Sequence, residues 1–446
     1  MTPIHHAHNI IFVLPAGLTV SGVTTWSINM GRQLIQRGYP VGLIQHASFG
    51  PQLDIPLPPE VQLVRCQNQA TPDKFYSEAD VADYLSDYKR LMPGLIIPSG
   101  GSGTYATCAL MTKRQPEILR VLGFAHADED VYYDWLSYYE PIIAKFVGSS
   151  REIGIKLRQL LPHRRQDIVV RPYAVEVSPT LDRTYSSPVD PLQLIYVGRM
   201  IEYQKRVSDL FRLVQALEVA QVNFHLRLVG DGPDAKSLLE ALQNTKAYTQ
   251  RRVTWINTLP PAQMPPVWRT TDICILVSEY EGTSVSMLEG MAQGCVPVVT
   301  QVSGAAEAIR AGDNGFLAPV GHIGEMAQVI KSLDQDRQRL ASLGAAAHAT
   351  VLENFAYDAY VPWFLDLVKQ AWQQPSRPWP AGRPLHARPT IKELVEQLSG
   401  EELSRIVSLP KLIKATGFKV AARPGLRWLY RFRDQAKLLL HKIGGK

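Results

Sequence analysis

The sequence predicts an α/β protein made of two Rossmann-like, doubly wound domains facing a cleft, followed by a basic helical tail. Three observations carry that expectation. Short β-branched runs alternate with segments of helical period through most of the 446 residues. The runs are apolar on both faces, as strands of a parallel sheet covered by helices must be. The alternation pauses between 176 and 191, where Pro, Ser, Thr and Asp dominate, and then resumes. With 46% hydrophobic and 20% charged residues, the chain is globular and long enough for two or three cores.

The first domain is expected over 1–175. Ile10 to Leu14 reads as its first strand, and Pro15 to Gly22 as a loop that can bring backbone N–H groups near a phosphate. An ordinary strand-to-helix turn explains that loop equally well, because the G-x-G-x-x-G spacing is absent. Val23 to Gln36 follows as a helix and Val41 to Gln45 as a strand; Leu95 to Pro98, Val121 to Phe124, Phe146 to Gly148 and Ile168 to Val170 supply further strands. His126 falls at a strand's carboxyl end, where ligands of such sheets collect, although a loop histidine bonded to nearby backbone fits the same position. Asp128 and Asp130 offer two carboxylates for a divalent ion, or Asp128 caps the next helix.

After the 176–191 linker a second domain is expected over 192–353. Its first strand, Leu192 to Val197, ends in Gly198-Arg199, with Lys205 beyond, so two cations flank one strand-end loop. Two such groups can neutralise a diphosphate, or they are a solvated charge pair beside Glu202. Phe224 to Val229 is a strand ending at Gly230-Asp231-Gly232-Pro233, and Val253 to Ile256 is the next. Ile273 to Val277 runs into Glu281-Gly282-Thr283-Ser284-Val285, and the period then turns helical through Glu289 to Gly294. Glu281 therefore belongs to a strand-to-helix loop and Glu289 to the helix. Ionised carboxylates there suit sugar or ribose hydroxyls, since each is a pure acceptor able to take two donors. Helix capping and a solvated face are the alternatives. Val296 to Thr300 is a further strand.

Residues 354–374 read as a long crossover helix, and 375–446 as a Pro-rich break with a basic tail. From Lys411 to Lys446 there are ten Lys or Arg and one acidic residue, so the chain's formal charge of +6 arises there. Trp428, Leu429, Phe432, Ala436, Leu439 and Ile443 recur at helical spacing among the cations, a pattern suited to an anionic membrane surface or to packing on protein. No nucleic-acid module is visible. The four cysteines are dispersed without metal-ligand spacing, and neither a secretory leader nor a membrane-spanning run is seen, which suggests the cytoplasm.

Four motifs taken together resemble one family. Tyr196-Val197-Gly198-Arg199 with Lys205, Val229 to Pro233, Glu281 to Ala292, and Gly294 with Pro297 to Val299 closely resemble the retaining family-four glycosyltransferases of the GT-B fold. The resemblance runs from about residue 10 to 372 and is most specific from 196 to 317. It implies Arg199 and Lys205 on the diphosphate of a UDP- or GDP-linked sugar, Glu289 on the ribose, and Glu281 on the transferred sugar. Backbone near Gly198, Gly230, Gly282, Thr283, Ser284 and Val285 would line the same site. It also implies that His126 lies near the donor sugar and Gly22 in the loop meeting donor or acceptor. Ser21-Gly22 departs from the two glycines of many relatives, which puts close phosphate approach at Ser21 in question.

The implied activity is metal-independent sugar transfer with retention of configuration, without a cofactor or a protein nucleophile. The acceptor would be a glycan or a lipid-linked molecule, in envelope or exopolysaccharide synthesis. The chain would sit in the cytoplasm, peripherally at the inner membrane face if the tail binds lipid. Two rivals stand beside this: a nucleotide-sugar epimerase or hydrolase of the same architecture, and a non-catalytic binding protein.

Overall fold

The computed structural model describes residues 8–19, 21–46, 56–66 and 78–385. Two parallel sheets form its frame. The first comprises β1 (Asn9–Leu14), β2 (Val41–Gln45), β3 (Gln62–Arg65), β4 (Gly94–Pro98), β5 (Leu119–Ala125), β6 (Ile143–Gly148) and β7 (Ile168–Val170), in the order β3-β2-β1-β4-β5-β6-β7. The second comprises β8 (Leu192–Val197), β9 (Phe224–Val229), β10 (Val253–Ile256), β11 (Ile273–Leu276), β12 (Val296–Thr300) and β13 (Phe316–Ala318), in the order β10-β9-β8-β11-β12-β13. In each sheet the winding reverses beside the first strand, between β1 and β4 and between β8 and β11. That is where a doubly wound sheet opens a crevice at its carboxyl edge.

The inner strands are buried along nearly their whole length, which is why their apolar runs were readable. β3 has one buried residue among four at a sheet edge and β13 has three residues, so neither has a sequence signal above its surroundings. The helix Gly22–Ile35 starts one residue before the expected Val23, with Ser21 Oγ accepting the Thr24 N–H at 3.1 Å. Asp128 does not cap the helix Asp130–Tyr138. Its carboxylate takes Lys156 Nζ at 2.6 Å and the Tyr133 hydroxyl at 2.6 Å.

One apolar cluster runs through both domains. It joins Trp26 and Phe124 of the first to Val285, Leu288 and Met291 of the second, through Phe364 and Leu367 of the helix Tyr357–Gln373. That helix begins after a bridge between Val175 and Ala356 and returns the chain to the first domain. Its start lies three residues later than Asn354, which ends the preceding helix Gln338–Asn354.

Residues 375–385 are a docked strap rather than a bare spacer. Trp379 and Leu385 are buried in the first domain's core, with Tyr138 and Tyr139 hydroxyls donating to the Pro384 and Leu385 carbonyls at 2.9 and 3.0 Å. Proline lacks an N–H, so a Pro-rich segment can lie flat on a protein surface with few donors left unmet. The basic helix expected over 411–446 falls outside the described residues. Among the described residues no helix is long and apolar enough to cross a membrane.

Candidate functional site

The strand-end loops of the second domain converge on Glu281. Lys205 does not lie in an open loop, because Glu202–Lys205 forms a single helical turn. Arg206 ends that turn at φ 46°, and its guanidinium is held by Asp209 at 2.7 Å and Glu279 at 2.6 Å. The Glu279 N–H also donates to the Gln204 carbonyl at 2.8 Å, tying the turn to the loop after β11. Lys205 Nζ is thereby delivered to Glu281 Oε1, with which it pairs. Ser278 Oγ donates to the same oxygen at 2.7 Å. Among the described residues Oε2 has no hydrogen-bond partner, so the carboxylate keeps one acceptor oxygen for a hydroxyl.

Arg199 follows β8 on the same rim. It is exposed, and among the described residues its guanidinium has no hydrogen-bond partner, while its carbonyl accepts from the Tyr196 hydroxyl at 3.1 Å. Its charge lies near Tyr132 of the first domain as well as Tyr196, so it borders the interdomain crevice. Arg199 and Glu281 both act on the Tyr196 phenol, so two cations of different chemistry, an open guanidinium and a partly spent ammonium, stand near Glu281.

Two glycines permit this crowding. Gly230 has φ 137°, and a Cβ there would collide with the Gly198 carbonyl oxygen, so the loops after β8 and β9 nest together. Gly282 packs against the other domain: a Cβ would strike the His126 carbonyl oxygen and Ser149 Oγ. Around it, the Asp128 N–H donates to the Glu281 carbonyl at 3.1 Å, and Thr283 Oγ1 donates to the Ser149 carbonyl. The expected site loop is therefore also the seam between the domains. Gly22 belongs to that seam too, its Cα facing the Val285 side chain.

Ser284 caps the helix Val285–Ala292, its Oγ accepting the Met287 N–H at 3.4 Å. Thr283, the residue before the cap, is used across the seam. The remaining N–H groups of the first turn have no partner within the helix, and its positive end begins four residues after Glu281.

His126 is 4% exposed and its Nδ1 is bonded to the Tyr173 hydroxyl. Burial lowers its pKa to about 3, against the opposing pull of the Pro98 carbonyl, so the imidazole is neutral. The ring sits among Trp26, Phe124, Tyr132 and Tyr173. Its Nε2 is buried without a hydrogen bond.

The two glutamates lie in different surroundings. Glu289 is half-buried on the helix Val285–Ala292, and its pKa rises to about 7 through burial and the charge of Glu176. Tyr357 of the crossover helix feels both carboxylates and takes a hydrogen bond with Asn29. Glu289 thus points to the place where the linker, the first domain's first helix and the crossover helix meet.

Three participants carried no sequence signal. Ser149 and Tyr173 lie just past the ends of β6 and β7 and reach the donor-side loop through Thr283, more than a hundred positions away. Ser278 is an unremarked serine until the loop after β11 turns it onto Glu281. Among the described residues no group of three or more His, Cys, Asp or Glu could hold a metal ion.

A family model described as glycosyl transferases group 1 matches residues 191–336. N-acetyl-alpha-D-glucosaminyl L-malate synthase of Bacillus anthracis is 30% identical over 157 residues, 35% of this chain and 40% of that protein. The putative colanic acid biosynthesis glycosyltransferase WcaL of Escherichia coli K12 is 26% identical over 199 residues, 43% and 48% respectively. The chain thus spans two fifths to one half of these curated relatives. Among solved structures, S. aureus TarM aligns with a TM-score of 0.67 at 11% identity, over 82% of this chain and all of that one. Sucrose-phosphate synthase of Thermosynechococcus elongatus aligns at 0.66 and 16%, over 81% and 98%. The fold is that of the GT-B glycosyltransferases, and residues 191–336, which bear Arg199, Lys205, Glu281 and Glu289, match the glycosyl transferases group 1.

Proposed function

We propose that this protein is a retaining glycosyltransferase that moves a sugar from a nucleoside-diphosphate sugar to a glycan or lipid-linked acceptor in envelope or exopolysaccharide synthesis. The observation that carries the reading is the proximity of Arg199, Lys205 and a helix N-terminus to Glu281. Positive groups fixed where a diphosphate would leave stabilise developing negative charge without a metal. The reaction centre becomes oxocarbenium-like as the bond to the diphosphate lengthens. Glu281 then holds hydroxyls of the transferred sugar through its unfilled oxygen, and Glu289 the ribose. Backbone beside Gly198, Gly230, Gly282, Thr283, Ser284 and Val285 lines the donor site, and Gly22 lies where donor and acceptor meet. The deprotonating group for the acceptor is the leaving diphosphate itself, so no protein nucleophile is assigned.

The named relatives favour this reading: WcaL carries colanic acid biosynthesis in its name, and S. aureus TarM was solved with UDP and α-GlcNAc-glycerol. A cytoplasmic enzyme attached peripherally through 411–446 fits a lipid-linked acceptor. Mass spectrometry of wild-type protein with UDP- and GDP-sugars and crude lipid or glycan acceptors tests the proposal. A glycosylated acceptor supports it, whereas hydrolysis or isomerisation alone would move the assignment to the epimerase or hydrolase reading.

A further inference from the structure

We infer that Asp234 is a positioning residue for Lys205: its carboxylate accepts the Glu202 N–H and so fixes the helical turn that carries the ammonium to Glu281. The kinetic side of this inference rests on the transferase reading; the placement of the ammonium does not.

The loops after β8 and β9 stay paired beyond their strands. The Gly198 N–H donates to the Val229 carbonyl at 3.0 Å and the Met200 N–H to the Asp231 carbonyl at 2.9 Å, and the Asp234 N–H donates back to the Met200 carbonyl at 3.1 Å. Gly232 permits the approach, since a Cβ there would meet the Met200 carbonyl oxygen. The next bond in the series is made by a side chain, with the Glu202 N–H donating to Asp234 Oδ2 at 2.7 Å. An ionised carboxylate on a backbone N–H makes a stronger bond than a neutral carbonyl does. From there the turn closes through the Lys205 N–H on the Ile201 carbonyl at 2.9 Å, so one helical turn separates the lysine from the Asp234 carboxylate.

Asp234 makes this bond in place of a more local one. It occupies the cap position of the helix Ala235–Leu242, where an aspartate side chain commonly accepts an N–H of the first turn, yet its side chain caps nothing there. Its backbone carbonyl takes the Leu238 N–H at 3.1 Å while the carboxylate reaches a residue 32 positions away. A cap withheld from its own helix is thus spent on the neighbouring loop. The far end of the turn is held separately, by Arg206 on Asp209 and Glu279 and by the Glu279 N–H on the Gln204 carbonyl. Removing the Asp234 carboxylate therefore frees one end of the turn and leaves the other tied, so the domain stays folded while Lys205 gains room to move.

Two substitutions separate the roles of shape and charge. Asp234→Ala removes the acceptor, and Asp234→Asn removes the charge but keeps a side-chain oxygen that can take the same N–H. Mild acetylation of the full chain, with labelling at Lys205 read by peptide mass spectrometry, reports how firmly the ammonium is held against Glu281 without any substrate. Lys205 should react several-fold faster in D234A than in wild type or D234N. With donor and acceptor present, kcat should fall about 10-fold in D234A, with the donor KM changed less than kcat, and should recover in D234N. In the Lys205→Ala background D234A should have little further effect, because Asp234 acts through the ammonium. Unchanged labelling of Lys205 in D234A, a D234N protein that behaves as D234A does, or kinetic effects that add to those of Lys205→Ala would overturn the inference. The expected labelling in a wild-type protein that transfers no sugar would instead reject the transferase reading and leave the positioning role standing.

Discussion

Lys205 and Glu281, 76 positions apart, form an ion pair in which neither side chain is more than 13% exposed. The pair joins the cation expected at a diphosphate to the carboxylate expected at a sugar. In the free protein each neutralises the other. On the proposed reading a donor would insert negative phosphate beside the ammonium and hydroxyls beside the carboxylate, which would make the pair a preorganised site rather than a surface bridge.

Removing one partner leaves the other as a buried, uncompensated charge. Lys205→Ala should lower donor turnover by on the order of 10²-fold and also lower the melting temperature. Glu281→Gln, which keeps shape and the contact with Ser278, should lose turnover with a smaller thermal penalty. Steady-state kinetics and circular-dichroism melts check both; a Lys205→Ala protein with wild-type turnover would remove the ammonium from the mechanism.

Gly282 is a seam glycine as much as a loop glycine. Gly282→Ala places a Cβ against the His126 carbonyl and Ser149, so the domains must separate slightly or the loop must shift. A displacement near 1 Å at a reacting centre costs on the order of 10²-fold in rate. The substitution should therefore reduce kcat strongly while the melting temperature moves little, because each domain's own core is untouched. Equal turnover in G282A would show that the seam is loose during catalysis.

Glu289 carries the chain's pH signature. With its folded pKa near 7, above the ordinary 4.5, the protonated form is favoured by folding. Its contribution to stability is full below pH 4.5 and is lost as pH rises through 7. Donor binding should run the other way, since ribose hydroxyls need the ionised carboxylate as acceptor. The donor KM should fall as pH rises from 6 to 8, and the melting temperature of the free protein should fall over the same range. Glu289→Gln should flatten both profiles. A wild-type KM independent of pH would detach Glu289 from the donor.

The strap changes where the tail can be cut. Ending the chain after Leu385 keeps Trp379 and Leu385 in the first domain's core and should leave the melting temperature close to wild type. Ending it after Gln374 strips two buried apolar side chains, each worth about 1.5–3 kcal/mol, and should lower the melting temperature by several degrees. Co-sedimentation with anionic liposomes of the full chain and the chain ending at 385 then tests the basic tail by itself. Equal pelleting would assign membrane binding, if any, to the folded domains.

Inner strands and strand-end motifs were legible because burial on both faces imposes apolar runs and because Arg199, Lys205, Glu281 and Glu289 stand at fixed offsets from those runs. What sequence could not supply was contact between distant positions. Tyr173 reads as an ordinary residue after β7 until the fold sets its hydroxyl on His126, 47 positions earlier. Thr283 reads as one more residue of the strand-to-helix loop until the opposite domain offers the Ser149 carbonyl. The strap reads as a break because composition registers its prolines and not the Tyr138 and Tyr139 hydroxyls that receive it. Glu281 and Glu289 read as one motif, yet one is neutralised by a lysine and the other pushed toward neutrality by burial and a second glutamate.

The central claim is that Arg199, Lys205 and Glu281 form a donor site that transfers sugar. The most direct measurement is turnover of a nucleoside-diphosphate sugar by wild type and Lys205→Ala side by side, with the anomeric configuration of the product read by NMR. The account predicts a glycosylated acceptor of retained configuration, free nucleoside diphosphate in equal amount, and a loss on the order of 10²-fold in the variant. Inverted configuration, or equal rates in the two proteins, would contradict it.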